Sequence, residues 1–132
     1  MIKIEKVTLF YQHWLRLLLV CIMSTCHGYA MAKNSPQTLA EIDFLKSEIT
    51  FSSCVFNRNT IHYKGSEAIT HINRKQDYFK DKIATSEDFV RLAATKSEIS
   101  GQNYTVKCDQ QTENLGDWLL KKLKVYRQQP KH

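Results

Sequence analysis

The chain has 132 residues, 42% of them hydrophobic, with 19 Lys and Arg against 13 Asp and Glu for a formal net charge of +6. That length suits a single domain, and the apolar content excludes a disordered or low-complexity polymer. The positive excess is modest and spread out, which bears on solubility and steering and does not mark a nucleic-acid binder.

Residues 1–32 read as a signal peptide. Lys3, Lys6 and Arg16 supply a basic beginning, "WLRLLLVCIM" an apolar core broken only by Arg16, and "AMA" at Ala30 to Ala32 the small residues a signal peptidase reads. Cleavage after Ala30 and after Ala32 both fit. The uninterrupted apolar run, Leu17 to Met23, is short of the roughly 18 to 20 residues that a spanning helix needs. Cys21 follows Val20 and Cys26 follows Thr25, neither the small Gly or Ala that lipid attachment wants before its cysteine. The expectation is export to the periplasm, with no stable membrane insertion once the leader is gone and no nucleic acid as partner.

The mature domain then covers residues 33–132, with 16 Lys and Arg against 12 Asp and Glu. It keeps two cysteines, Cys54 and Cys108, and an even pair in an oxidising compartment reads as one disulfide. Closing that loop contributes about 4 kcal/mol by the chain-entropy estimate, a large term for a domain this small. A redox pair wants a short Cys-x-x-Cys spacing and a metal site wants two more ligands; the sequence offers neither, so no metal and no cofactor are expected.

Ser35 and Pro36 form a cap followed by a first-turn proline. The following "QTLAEIDFLKSEI" places Leu39, Ile42, Leu45 and Ile49 at helical spacing and leaves Glu41, Lys46 and Glu48 to water. "CVF" and "TIHY" flank "NRN", the pattern of a hairpin, although Thr60 rather than Gly follows Asn59, which argues against the tightest two-residue turn. Ser66 is placed to cap the next helix. On it Glu67, His71, Lys75, Tyr78 and Lys82 share a polar flank beside the apolar flank of Ala68, Ile69, Ile72, Phe79 and Ile83.

Thr85 and Asp88 have the spacing of a capping box and open a shorter helix with Phe89, Leu92 and Ala93 inward. A Ser-Gly turn follows, then Tyr104, Val106 and Cys108 alternate with Thr105 and Lys107 as a strand with one wet face. "DQQTEN" reads as a polar loop. The last helix, Leu115 to Gln128, sends Leu115, Trp118, Leu119, Leu123 and Tyr126 inward and gathers Lys121, Lys122, Lys124 and Arg127 in its later half, where cations suit the helix dipole. Gly116 near its start suits a close approach. These elements predict an α+β fold: four helices around a small antiparallel sheet built from the 54–63 hairpin and the 103–108 strand.

The run "CVFNRNTIHYKGSEAITHINRKQDYFKDKIATSEDFV", then "TKSEISGQNYTVKC", then "DWLLKKLKVYR", resembles the DUF5329 family of small exported bacterial proteins, which has no assigned function. The resemblance spans about Leu39 to Arg127. Cys54, Phe56, Arg58, Asn59, Tyr63, Glu67, His71, Lys75, Tyr78, Tyr104, Cys108 and Trp118 match positions the family shows, while Thr60 departs from its usual Gly. The resemblance implies an exported protein of Gram-negative bacteria and implies no reaction.

Two kinds of site are open on these residues. A catalytic one would use His71 as acid or base, oriented by Glu67, with Lys75 or Arg58 stabilising an anion; it would make the protein a small envelope hydrolase. A nucleophile is missing from that scheme, since Ser97 and Ser100 lie in no strained elbow. A metal at Glu67 and His71 would need further ligands, such as His62. The other kind is a binding face of Arg58, Asn59, Glu67, His71, Lys75, Tyr78 and Lys82 for an envelope protein or glycan, in a soluble periplasmic binding or accessory protein. A structural or inhibitor-like domain acting through the basic last helix is a third reading.

Overall fold

The computed structural model describes residues 34–130, and the leader expected over residues 1–32 lies outside them. Helix α1 spans Pro36–Thr50; the Ser35 hydroxyl accepts from the Thr38 amide at 3.1 Å, the expected cap. Its buried positions are Glu41, Ile42, Leu45 and Ile49, whereas Leu39 is 45% exposed. The expectation for Glu41 and Leu39 is therefore reversed. Glu41 stands one turn before Leu45, on the inward stripe, and it is buried because charged partners meet it there.

Strands β1 (Val55–Arg58) and β2 (Ile61–Tyr63) form the hairpin with Arg58 opposite Ile61, so Asn59 and Thr60 alone make the turn. Both have positive φ, 50° and 68°, the left-handed pair of a type I′ turn. The tight turn thus forms despite Thr60, at a cost, because a β-branched side chain resists that region. Helix α2 (Gly65–Phe79) follows, extended by a 3₁₀ turn over Lys80–Lys82. Ser66 is not its cap. Lys64 occupies that position, and Glu67 accepts from the Lys64 amide at 2.9 Å, so the reciprocal half of a capping box holds the helix start. A Cβ on Gly65 would lie 1.9 Å from the Ile49 carbonyl oxygen, which is why the end of α1 and the start of α2 can cross at this residue.

Thr85 and Asp88 exchange the expected cap bonds, 3.1 and 3.2 Å, and open α3 (Ser86–Phe89). The coil then widens into a π turn over Val90–Ala94, closed by the Thr95 hydroxyl donating to the Val90 carbonyl at 2.8 Å. Strand β3 (Thr105–Cys108) pairs with β1, and the stretch expected as a polar loop is strand β4 (Gln111–Asn114), paired antiparallel to β3. Cys108 faces Gln111 across a two-residue turn in which Asp109 has φ 54°. The sheet is antiparallel in the order β2-β1-β3-β4.

Helix α4 (Leu115–Gln128) follows, giving four helices and four strands among the described residues. Phe56 and Val106, cross-strand partners, are buried on the helix side of the sheet, while Val55 and Lys107 face outward. Phe56 meets the edge of Trp118 at 6.1 Å between ring centres. Ile42, Leu45, Ile49, Phe89, Leu119 and Leu123 fill the space between helices, each at 1% exposure or less. Burying each such side chain stabilises by about 1.5–3 kcal/mol before entropy is counted. Gly116 makes the close approach expected of it, since a Cβ there would lie 2.8 Å from the Thr95 hydroxyl. The Cys54–Cys108 disulfide joins the start of β1 to the end of β3, with Cα atoms 4.5 Å apart.

Candidate functional site

Arg58 projects from the end of β1 on the same side as Phe56, because side chains two apart share a face of a strand. That places its guanidinium over the first turns of α2, where Nη1 lies 3.5 Å from His71 Nδ1. Arg58 has no carboxylate partner among the described residues, and its Nε is buried and meets no acceptor there. Tyr63, the cross-strand partner of Phe56, packs its ring edgewise on the imidazole, 5.1 Å between centres. Beneath Arg58 and His71 lies a void of about 20 Å³ walled by Phe56, Tyr63, Ala68, Ile72, Tyr104 and Leu115. It has room for about one water.

Burial of the imidazole holds the His71 pKa below its ordinary value, and the charges of Arg58 and Arg74 push it the same way. His71 is therefore neutral near pH 7, and its Nδ1 can accept from Arg58. Lys75, one turn further along α2, has a side chain 15% exposed. Its ammonium sits 5.3 Å from the centre of the Tyr104 ring, donates to the Lys96 carbonyl, and reaches Glu98 at 3.4 Å. Burial lowers its pKa, against which Glu98 acts in the raising direction.

The 97–101 loop borders this site and is fastened from two sides. Lys75 holds it from α2, and the Ser100 hydroxyl donates to Asn59 Oδ1 at 2.7 Å across the hairpin turn. Asn59 and Lys75 thus position the loop beside the Arg58–His71 pair. Glu67 is exposed and engaged with the Lys64 amide, so it does not orient His71. Tyr78 is 81% exposed and rests on Phe79, and Lys82 lies beyond, sharing the Phe79 ring with Lys75. The flank that spacing gathered is therefore split: His71 meets Arg58 from the hairpin, Lys75 turns to the 97–101 loop that Asn59 also holds, Glu67 is engaged at the Lys64 amide, and Tyr78 and Lys82 gather on Phe79.

Neither serine of the catalytic scheme stands ready beside His71. Ser97 is 2% exposed and its hydroxyl accepts from the Ser100 amide, while Ser100 is bonded to Asn59. His62 follows the opposite face of β2 from Tyr63, away from His71. Among the described residues, no three His, Cys, Asp or Glu side chains cluster for a metal.

A second ionic group escaped the sequence reading. Glu41 receives Arg127 through Nε at 3.0 Å and Nη2 at 2.7 Å, the Ser86 hydroxyl at 2.7 Å and Gln37 at 3.0 Å. The other side of Arg127 meets Glu87 at 2.6 Å. Hydrogen bonding by Arg127, aided by Ser86 and Gln37, holds the Glu41 carboxyl at about 2, against the desolvation that would raise it. The knot ties α1, α3 and α4. One signal was present in the sequence: Glu41 is four residues from Leu45 and eight from Ile49, on their stripe.

Other concavities among the described residues are open. A cleft of about 440 Å³ beside the start of α4 holds Asp88, bonded to Arg91, and Asp117, bonded to Asn114.

Helices on one side of an antiparallel sheet and a disulfide joining its two central strands define a small α+β domain, in which an arginine of the hairpin meets a neutral histidine of the second helix. The chain belongs to DUF5329, a family of unknown function, whose model matches residues 36–127. No curated protein and no solved structure matches it.

Proposed function

We propose that the mature domain is a soluble periplasmic binding or accessory protein whose working surface is the face around Arg58 and His71, and that its partner is an acidic envelope protein or glycan. The observation that carries this reading is the guanidinium of Arg58, which has no carboxylate partner among the described residues and a buried Nε without an acceptor. A charge kept in that state is costly unless a partner completes it. The surroundings support a shallow contact surface: the void under His71 is about 20 Å³, too small for an organic substrate, and the exposed Tyr78 and half-buried Tyr63 border the cationic groups. Trp118, at 9% exposure, belongs to the core, which draws attention away from the basic last helix.

The test is capture from envelope extract by the oxidised mature domain, with Arg58→Ala and His71→Ala in parallel. Loss of one specific partner by either variant, at unchanged circular dichroism and with no free thiol, is the expected result. Equal recovery by both variants overturns the assignment of the face. The export half of the reading expects the envelope form to begin at Met31 or Lys33; a form beginning at Met1 overturns it.

A further inference from the structure

Resting on that reading, we propose that Arg58 and His71 jointly hold a small oxyanion group, a carboxylate or phosphate of the ligand, and that His71 takes up a proton as the group binds.

The geometry assigns each part a task. A guanidinium presents five donors in a planar fork suited to two oxygens at once. One of Arg58's terminal nitrogens faces His71 Nδ1 at 3.5 Å and its Nε points inward, so the outer edge of the fork remains to meet a ligand. The void beneath, about 20 Å³, excludes the oxyanion, which therefore sits at the mouth between guanidinium and imidazole. Ile61, directly across the hairpin from Arg58 and 56% exposed, offers apolar contact to the carbon skeleton that bears the charge.

Proton uptake follows from what surrounds His71. Arg58 faces it from β1, Tyr63 from β2, and Tyr104 lines the same void ahead of β3. On its own helix stand Arg74 and Lys75, both cationic, and Glu67, whose carboxylate is held at the Lys64 amide. Protonating the imidazole in the free protein sets two cations 3.5 Å apart with no carboxylate on Arg58, an unfavourable arrangement. An oxyanion at the mouth gives both a shared counter-charge and reverses that preference. The proton comes from solvent, and by linkage the ligand binds more tightly as pH falls through the titration of the bound form.

The experiment follows the His71 ring resonances by NMR from pH 5 to 8, alone and with acetate, inorganic phosphate or chloride at matched ionic strength, in an oxyanion-free buffer. The expected result is a His71 midpoint raised by about half a pH unit or more with acetate or phosphate and unmoved by chloride. The dissociation constant should then be lower at pH 5.5 than at pH 7.5, by up to about threefold for a half-unit shift. Whichever probe gives the larger shift identifies the carboxylate or the phosphate as the natural group. Arg58→Gln should abolish the shift and Arg58→Lys retain a weaker one of the same sign, which separates recognition from folding. His71→Gln should keep binding and lose its pH dependence. An unmoved midpoint, an equal shift with chloride, or undiminished binding by Arg58→Gln overturns the proposal. A partner captured through Arg58 together with an unmoved His71 midpoint would sink this inference and leave the proposed face standing. The reverse pair of results would sink the macromolecular partner and keep the oxyanion site.

Discussion

Arg127 and Arg58 show what the same side chain does under opposite accounting of its neighbours. Arg127 has Glu41 on one side and Glu87 on the other, and Ser86 and Gln37 complete Glu41, so every group in that knot is answered from within the fold. Arg58 has a neutral imidazole at 3.5 Å and no carboxylate among the described residues. The first arrangement fastens three helices. The second leaves a cation that no carboxylate among the described residues answers, which is the difference on which the proposed recognition role of Arg58 rests.

The comparison can be broken most forcefully at Arg127. Arg127→Ala strands the Glu41 carboxylate, whose side chain is 4% exposed, and should cost about 3 kcal/mol of unfolding free energy in urea titration. Replacing Glu41 and Arg127 together by Leu removes both charges and should return stability to within about 1 kcal/mol of the parent. Acid probes the same knot without mutation. The folded Glu41 titrates at about 2, against an ordinary value of 4.5, so its contribution is complete above the unfolded pKa and is lost as pH falls toward the folded one. That loss amounts to about 3 kcal/mol and should vanish in the double Leu variant.

Smaller effects sharpen the other side. Thr60→Gly relieves a β-branched residue at φ 68° beside Arg58 and should stabilise by about 1 kcal/mol, read as a rise in the denaturation midpoint. Arg58→Gln removes no ion pair and should change stability by no more than about 0.5 kcal/mol. A large loss there would mean that Arg58 serves the fold as Arg127 does. His71, with its pKa lowered on folding, adds a shallow slope of the opposite kind from a stabilising His: the unfolded chain binds the proton first, so stability declines as pH drops below about 6.5 toward the folded pKa.

Much of the fold was legible because its causes are local. Ser35 with Pro36, Thr85 with Asp88, the two cysteines that remain beyond residue 32 and the Leu119 and Leu123 stripe each declare themselves within a few residues or by count. What was illegible depended on distant chain. Glu41 looked solvent-facing because its partner is 86 residues away, although helical spacing already set it on the buried stripe. Strand β4 looked like loop because Gln111 to Asn114 carry no apolar alternation; only pairing with β3 makes them a strand. Ser66 looked like a cap because the crossing of α1 at Gly65, which starts the helix earlier, is a tertiary event.

The site divides along the same line. Arg58, His71 and Lys75 were identifiable as residues of interest, yet one-turn spacing coupled His71 to Glu67, whereas the hairpin delivers Arg58 to it instead. Sequence spacing sees neighbours on a helix; it does not see which neighbour is already engaged with the backbone.

The most direct test is the arginine Nε–Hε spectrum of the oxidised protein during a phosphate titration. The account predicts that the Arg58 resonance moves in a saturable way while that of Arg127, enclosed by its carboxylates, stays in place. Arg58 and Arg127 remaining equally still, or drifting together without saturation, would contradict it.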